Sequence, residues 1–378
     1  MWVDRSRPMC KGSHTSGSGK GAMVHSTGTR VGSTLWFQGK GKVALRTEPI
    51  PTPGPGEVRV RVAMSVLCGS ELGGLHADGP MLNAGHEAVG TVDAIGDGVV
   101  AVAVGDRVGV SAVQGCGACD ACARLEYTYC PDRSVVMGMH ADYIISKALA
   151  CFRLPDDITW EQGVLLTGDG LGVAHHVAKR VGATAEGTRA AGSCVVFGVG
   201  PVGLGNVLMQ TYLGANVTAV DISADRLELA RRLGATTVVQ LSAEDSLAPA
   251  DEQAKRIVAA IGAAPDLAIE CAGRPTSLKA ALATVRPGGV VVCVGEQGSV
   301  PISPSGELIS RDVALLGSWF YHFAEIEDMV SQQRAGIGVE RLLTHTFPLS
   351  RAQDAYDVFQ SAVAGKVALT RDEQEDIR

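Results

Sequence analysis

The sequence has no long apolar segment and no excess of basic residues. None of its apolar runs approaches the roughly 20 residues that a membrane-spanning helix needs, so we expect no membrane partner. The formal net charge is −7, and acidic and basic residues are interspersed, which argues against a nucleic-acid partner. The first residues also lack the apolar core of a signal peptide. Together these absences predict a soluble protein. Several cysteines are scattered in apolar, strand-like runs, as expected of reduced buried thiols in a cytoplasm.

Aromatic residues are scarce as well, at 4% of the chain, whereas glycine is abundant, with 47 residues. This composition is typical of α/β proteins with many glycine turns. The chain is 46% hydrophobic and 19% charged, as expected of a globular protein with a large core. Its 378 residues predict two domains.

The distribution of apolar residues divides the chain into parts. Residues 1–30 are rich in Gly, Ser, Thr, Lys and Arg without an apolar period, which predicts a disordered extension. Residues 31–168 combine short alternating segments with glycine turns, which predicts a β-barrel-like domain. Residues 169–314 alternate apolar strands with helical segments, the pattern of a doubly wound parallel sheet. The alternation lapses from 315, so we expect 315–378 to return to the first domain.

Four of the ten cysteines form the most distinctive motif. They follow a C-x2-C-x2-C-x7-C spacing within residues 112–132 and are Cys116, Cys119, Cys122 and Cys130. A two-residue gap lets one turn bring two sulfurs to the same ion, and Zn²⁺ prefers a tetrahedron of such ligands. Unrelated buried cysteines or disulfides are poorer interpretations, because three cysteines stand at equal spacing. The motif predicts a structural zinc lobe that leaves no ligand position for a substrate.

A glycine-rich turn separates the first strand of the predicted parallel sheet from a helix. Its G-x-G-x-x-G motif contains Gly198, Gly200, Pro201, Val202 and Gly203. The glycines permit a tight turn and a close approach to a pyrophosphate, and the helix N-terminus attracts the phosphates. The motif alone is weak, but its place between a strand and a helix predicts dinucleotide binding.

Asp221 ends the next predicted strand, where a carboxylate can bind the ribose hydroxyls. Because this carboxylate would repel a 2′-phosphate, we expect NAD rather than NADP. Asp221 can also be interpreted as the N-cap of the following helix, a role compatible with ribose binding. Arg226, one turn further on, either reaches the adenosine ribose or lies on a solvated helix face.

Cys68 and His86 are candidate ligands of a second zinc ion. Both side chains bind Zn²⁺ well, and a catalytic zinc usually has three protein ligands and an open position. Their spacing alone does not decide the matter, since a lone histidine more often fills a core position.

Several motifs occur in the order seen in one known family. The chain resembles the zinc-containing alcohol dehydrogenases of the medium-chain dehydrogenase/reductase superfamily. The resemblance is carried by segments 68–71 (Cys-Gly-Ser-Glu), 85–90 (Gly-His-Glu-Ala-Val-Gly), 104–108 (Val-Gly-Asp-Arg-Val), the four-cysteine lobe, 198–203, 220–222 (Val-Asp-Ile), 233–236 (Leu-Gly-Ala-Thr) and 287–289 (Pro-Gly-Gly). It spans about residues 35–370 and implies a GroES-like β-barrel catalytic domain joined to a Rossmann domain.

The resemblance also implies roles at the second zinc. Cys68 and His86 match the first two catalytic zinc ligands, and Asp169 matches the third. Glu87 matches a carboxylate beside the zinc that can serve as an alternative ligand.

Further matches concern the proton path. Ser70 matches the hydroxyl that binds the substrate oxygen and begins a proton relay, and Glu71 matches a carboxylate that orients the ligand histidine, although Asp is usual there. Gly73 stands where many members have a histidine that passes the proton to solvent, and His76 is shifted from that place. The route of the proton to solvent therefore stays open.

The resemblance implies an NAD-dependent alcohol dehydrogenase with two zinc ions per chain, acting as a homodimer or homotetramer. Its substrate would be a secondary alcohol, polyol, cyclitol or amino alcohol, and its product a carbonyl compound. The alternatives are a zinc-free reductase of a double bond or quinone, a non-catalytic protein that kept the fold, and a zinc-ribbon nucleic-acid binder. His175 and His176 are expected to pack structurally, and residues 319–321 (Trp-Phe-Tyr) either line the pocket or belong to the core.

Overall fold

The computed structural model of the protein describes residues 30–182 and 192–372. The predicted extension, 1–30, lies outside the described residues except for Arg30. Within the described ranges, no helix combines the length and apolar character that crossing a bilayer requires.

Short strands dominate residues 31–153. They are β1 (Val31–Gly39), β2 (Lys42–Pro49), β3 (Glu57–Val66), β4 (Met81–Leu82), β5 (Ala88–Ile95), β6 (Arg107–Val110), β7 (Val113–Gln114), β8 (Ser134–Val135), β9 (Tyr143–Lys147) and β10 (Cys151–Arg153). Two short helices, α1 (Leu72–Leu75) and α2 (Asp120–Ala123), lie between them. β3 alternates as its sequence predicts, since Val58, Val60 and Val62 are buried while Arg61 is exposed.

Residues 160–317 contain the predicted alternation of strands and helices. The helices are α3 (Trp160–Leu166), α4 (Gly172–Gly182), α5 (Pro201–Tyr212), α6 (Ala224–Arg232), α7 (Ala250–Ile261) and α8 (Pro275–Thr284). The strands are β11 (Ser193–Phe197), β12 (Asn216–Asp221), β13 (Thr237–Gln240), β14 (Leu267–Glu270), β15 (Val290–Cys293) and β16 (Ala314–Gly317). They form a parallel sheet in the order β13-β12-β11-β14-β15-β16, which is the order of the Rossmann fold. The edge strand β16 runs across the boundary expected at 314–315.

The C-terminal residues contribute two strands to the first part of the molecule. After α9 (Ile326–Arg334) come β17 (Leu343–Pro348), α10 (Ala352–Gln360) and β18 (Lys366–Thr370). The main sheet runs β10-β6-β5-β3-β18-β17, and β9 also pairs with β3. β18 lies antiparallel to β3, with Ala368 opposite Val66. The return of the chain therefore brings β18 beside the strand that leads to Cys68.

One apolar core joins the β-rich part to the parallel sheet. It contains Val66 of β3, Leu165 of α3 and Leu204 of α5, all buried. The loop between α3 and α4 packs closely on α5, since a Cβ on Gly205 would lie 2.3 Å from the carbonyl oxygen of Gly170. This packing fixes the loop that carries Asp169 between the two parts.

Candidate metal centres and nucleotide site

The four lobe cysteines converge in the structure. Their sulfurs all lie within 4.8 Å of one another, and none forms a disulfide. Cys122 and Cys130 are buried, while Cys116 and Cys119 are partly buried beside the start of α2. Four sulfurs at this separation suit a tetrahedral zinc ion.

Local backbone groups favour thiolates in this lobe. The N–H of Ala118 donates to Cys116 Sγ at 3.4 Å, and the N–H of Cys116 donates to Cys130 Sγ at 3.3 Å. The Ala118 N–H, followed by the contact with Cys130, lowers the pKa of Cys116 to about 7. Because the thiolate is the form that binds metal, the lowered pKa of Cys116 favours zinc binding in the lobe.

A second cluster brings three distant segments together. Cys68 follows β3, His86 and Glu87 precede β5, and Asp169 lies between α3 and α4. All four side chains are buried, and one potential ligand atom of each lies within 4.8 Å of the others. Asp169 Oδ2 is 2.9 Å from His86 Nε2 and 3.6 Å from Cys68 Sγ.

The side chains of this cluster fit a zinc ion. Asp169 Oδ1 is buried without a hydrogen-bond partner, which a bound cation would correct. His86 Nδ1 lies 3.1 Å from the carbonyl oxygen of Ala84, so the other ring nitrogen faces the cluster. Burial alone would lower the pKa of His86, but the Asp169 carboxylate raises it well above its ordinary value. The site therefore attracts positive charge, and its thiol, imidazole and carboxylate groups are zinc ligands.

The glycine-rich turn has the predicted form. Gly198 has φ of +78°, and a Cβ there would lie 2.7 Å from Ala272. A Cβ on Gly203 would lie 2.0 Å from the carbonyl oxygen of Gly198, so helix and turn approach closely only with glycine. Gly200 is the N-cap of α5, and Pro201 and Val202 form its first turn. The unpaired N–H groups of this turn suit a pyrophosphate.

Asp221 is buried at the carboxyl end of β12, beside this turn. Its Oδ2 accepts the N–H of Val199 at 2.8 Å, and its Oδ1 accepts the N–H of Ser223 at 2.9 Å. The interpretation of Asp221 as the N-cap of α6 is wrong, because Ser223 is the cap and its Oγ accepts the N–H of Arg226 at 3.3 Å. Asp221 and Arg226 line one cleft with Gly198 and Gly200. The Nε atom of Arg226 is buried without a partner there.

Comparison with known proteins agrees with this architecture. A family model for the GroES-like domain of alcohol dehydrogenases matches residues 54–156, and a model for zinc-binding dehydrogenases matches residues 201–333. Sorbitol dehydrogenase from Homo sapiens is 30% identical over 353 residues, covering 90% of this chain and 96% of the relative. Sorbitol dehydrogenase from Gallus gallus is 31% identical over 322 residues, covering 81% and 87%. The chain belongs to the zinc-containing alcohol dehydrogenase family.

Solved structures give the same result. A protein from Escherichia coli CFT073, described as a short chain alcohol dehydrogenase and complexed with NADH, superposes with a TM-score of 0.77 at 26% identity. An alcohol dehydrogenase from Thermus sp. ATN1 superposes with a TM-score of 0.76 at 27% identity. Each alignment covers 90% of this chain and 99% of the other.

Family membership confirms the predicted fold, with a GroES-like part and a Rossmann part, and the predicted enzyme class. The protein is an NAD-dependent, zinc-containing oxidoreductase that interconverts alcohols and carbonyl compounds. The zinc-free and non-catalytic alternatives are left without support.

Lys366 is a member of this alcohol dehydrogenase site that the sequence did not reveal. It is fully buried at the start of β18, and its Nζ donates to Glu87 Oε1. Burial alone would lower the pKa of Lys366, but the Glu87 carboxylate raises it. Glu87 Oε2 accepts the N–H of Asp169 at 2.8 Å. The signal in the sequence was a lysine at the start of a largely apolar strand, where an unpaired charge would be costly.

Glu71 has different partners from those expected. The predicted contact with the His86 ring is wrong, because the ring nitrogens of His86 face Ala84 and Asp169 instead. Glu71 turns away in the short 3₁₀ helix Gly69–Glu71 and lies fully buried. It accepts the N–H of Cys68 at 3.2 Å and the hydroxyl of Tyr356 at 2.6 Å.

His140 completes this second network. Its Nε2 lies 3.2 Å from Glu71 Oε2, and its Nδ1 lies 2.8 Å from Ser65 Oγ. Burial would raise the pKa of Glu71, but His140 lowers it overall. An ionised Glu71 thus supports the backbone of Cys68 rather than a ring of His86. Sequence reasoning missed His140 and Tyr356, which stand in no recognisable motif.

The turn that carries Ser70 is exposed. Ser70 is exposed two residues after Cys68. Gly73 is also exposed, and a Cβ there would meet nothing within 4 Å. His76 lies elsewhere, with its ring 3.2 Å from the position of a Cβ on Gly41 in the β1–β2 hairpin. Solvent therefore reaches the Ser70 turn without a histidine relay.

A third group of metal-ligating residues combines His176 of α4 with His322 and Glu325. His176 Nδ1 lies 3.0 Å from Glu325 Oε1, and His322 Nδ1 lies 2.9 Å from Thr128 Oγ1. The Nζ of Lys179 is 3.9 Å from Glu325 Oε1. These groups satisfy and neutralise one another, so the cluster joins the cysteine lobe to α4 and agrees with the structural role expected for His176.

Proposed function

We propose that the protein oxidises a secondary alcohol, polyol, cyclitol or amino alcohol with NAD⁺, using two zinc ions per chain. The observation that carries this proposal is the buried cluster of Cys68, His86 and Asp169, with one carboxylate oxygen unpaired, in the same chain as a dinucleotide turn. The sorbitol dehydrogenase relatives, at about a third identity or less, support alcohol oxidation in general.

The structural zinc would be held by Cys116, Cys119, Cys122 and Cys130. The catalytic zinc would be held by Cys68, His86 and Asp169. Asp169 is a better third ligand than Glu87, because both oxygens of Glu87 are already engaged by Lys366 and by the Asp169 N–H. Asp169 Oδ1, in contrast, has no partner. Glu87 then acts as a charged support behind the ligands.

The protein side chains position and deprotonate the substrate. A zinc ion held by Cys68, His86 and Asp169 would supply Lewis-acid polarisation of an alcohol oxygen, and NAD⁺ held at the glycine turn would supply the hydride acceptor. Ser70 would accept the hydroxyl proton and release it to the solvent that reaches its exposed turn. Glu71 would hold the Cys68 backbone in place through the 3.2 Å hydrogen bond.

The coenzyme would bind across the glycine turn. Gly198, Gly200 and Gly203, with the backbone N–H of Val202 in the first turn that Pro201 opens, would receive the pyrophosphate. The Asp221 carboxylate would accept the ribose hydroxyls and repel a 2′-phosphate. Arg226, close to Gly200, would contact the adenosine ribose.

The remaining assignments follow the family. The catalytic domain would comprise 31–168 and the residues after β16, with the zinc lobe at 112–132. The dinucleotide domain would run from 169 to the end of β16, because that strand belongs to the parallel sheet. We expect a homodimer or homotetramer in the cytoplasm, acting on a small alcohol or carbonyl compound.

The test measures zinc content and coenzyme preference in the purified protein. Elemental analysis should give two zinc ions per chain, and alcohols should reduce NAD⁺ in preference to NADP⁺. The variant Asp221→Ser should lose roughly 10-fold or more of that preference, since one charge-assisted contact and one repulsion are removed. One zinc ion or none, or equal use of both coenzymes by the unaltered protein, would contradict the proposal.

A further inference from the structure

Segment 318–321 connects the edge of the parallel sheet to the Cys68 cluster. The N–H of Ser318 donates to a carbonyl at the end of β15 at 3.0 Å. At the other end, Tyr321 is buried and its hydroxyl donates to the carbonyl of Thr167, in the loop before α4. These hydrogen bonds on either side fix the two intervening residues beside the Cys68 cluster.

Phe320 has an unusual backbone conformation. Its φ is +53°, in the left-handed region that an aromatic residue rarely adopts. Strain of this kind persists where surrounding contacts impose it, and it concentrates at ligand sites. The Phe320 ring meets the His86 ring edge to face, with centroids 5.9 Å apart. The strained backbone thus presents an aromatic ring to the cluster.

Trp319 extends this aromatic surface. Its ring lies edge to face on Phe320, with centroids 4.8 Å apart. Its only polar side-chain atom, Nε1, donates to Glu296 at 3.2 Å, and the Arg133 guanidinium lies 5.2 Å from its ring. The charged groups of Glu296 and Arg133 therefore both contact Trp319. The Phe320 ring offers a substrate neither a hydrogen-bond donor nor an acceptor.

We propose that Phe320, backed by Trp319, selects alcohols that carry an apolar alkyl or aryl group on the carbinol carbon, over polyols. This inference rests on the proposed function and narrows its substrate class. A polyol hydroxyl placed against Phe320 would lose hydrogen bonds to water and gain none. An alkyl or phenyl group in the same place would bury apolar surface. The discrimination acts against the polyol as well as in favour of the apolar alcohol.

The test compares the ratio of kcat/KM for apolar alcohols to kcat/KM for polyols, rather than the absolute rates. kcat/KM is measured with NAD⁺ for 1-phenylethanol and 2-hexanol, and for sorbitol and xylitol, on the full chain loaded with zinc. The variants are Phe320→Ala and Phe320→Asn, the latter because asparagine tolerates the left-handed region. Phe323→Ala is the matched control, since its ring packs on Tyr127 and Phe152 rather than on His86.

We expect the unaltered enzyme to prefer the apolar alcohols by about 10-fold or more, the scale of one apolar contact. Both Phe320 variants should reduce this ratio by about 10-fold, while Phe323→Ala leaves it unchanged. Calorimetric titration with 1-phenylethanol in the absence of NAD⁺ should show weaker binding to the Phe320 variants.

Two results would overturn the inference while leaving the proposed function intact. One is a higher kcat/KM for sorbitol or xylitol than for the apolar alcohols. The other is an unchanged ratio in a folded Phe320 variant that retains two zinc ions. If no alcohol reduces NAD⁺ with the zinc-loaded enzyme, the proposed function fails and the inference fails with it.

Discussion

Two buried clusters of metal-ligating side chains lie near helix α4. Asp169 of the first cluster lies in the loop just before α4, and His176 of the second lies on the helix itself. They look alike in composition, since each combines histidine with carboxylate; the first contains Cys68, His86, Glu87 and Asp169, and the second contains His176, His322 and Glu325. They differ in hydrogen bonding. The first contains a buried carboxylate oxygen without a partner, whereas no such atom belongs to the second among the described residues.

Charge separates the two clusters as well. The first holds two carboxylates, and Lys366 already neutralises one of them. The second holds a single carboxylate, which faces His176 and Lys179. A buried carboxylate oxygen without a partner is costly, and a bound cation would satisfy it. These two histidine–carboxylate clusters contain similar ligand types, and the unpaired carboxylate oxygen of Asp169 distinguishes the candidate metal site.

The largest expected effect is that of Asp169→Ala. Loss of the Asp169 carboxylate, the proposed third ligand, should remove the catalytic zinc and stop hydride transfer, while the lobe zinc remains. Because replacing a residue that only supports a metal ligand already costs about 10–100-fold, the loss of activity should exceed about 100-fold. Zinc analysis and NAD⁺ reduction measure both quantities. Two zinc ions with near-normal activity in this variant would transfer the ligand role to Glu87.

The next effect concerns the charge behind the first cluster. Lys366→Met should leave the buried Glu87 carboxylate unpaired and lower the free energy of unfolding by about 3–5 kcal/mol. Denaturant unfolding measures this loss. The double variant Lys366→Met with Glu87→Gln should recover part of it, because no buried charge is then left alone. A single variant as stable as the unaltered protein would mean that water or another cation reaches Glu87.

The smallest effect is expected in the second cluster. His322→Gln removes the ring that meets Thr128 and should cost about 1–3 kcal/mol of stability. Zinc content should stay at two ions, and kcat/KM should change little, because the cluster binds only other side chains. Loss of a metal ion from this variant would make the second cluster a metal site and end the contrast with the first. Phe152→Leu, a core change without a ligand atom, provides the control for general destabilisation.

The sequence by itself determined the features whose residues are close together in the chain. The cysteine lobe, the glycine turn with its helix, and the apolar alternation of β3 follow from spacing, since a turn or a strand fixes which neighbours share a face. Motifs of this kind, in their order, were also sufficient to identify the family. The position of Asp221 at the end of a strand was predictable for the same reason, although Ser223, and not Asp221, caps the helix.

Only the tertiary structure decided which side chains meet across the site. Lys366 and Glu87 stand 279 positions apart, and Tyr356 and Glu71 stand 285 apart, so no local pattern could pair them. The sequence resemblance predicted that Glu71 orients the His86 ring. The 3₁₀ turn instead directs the Glu71 side chain, which is longer than the usual Asp, to other partners. Buried charges and hydrogen-bond donors take whatever partners packing brings within about 3 Å, and packing is set by the whole fold rather than by the spacing of any one segment.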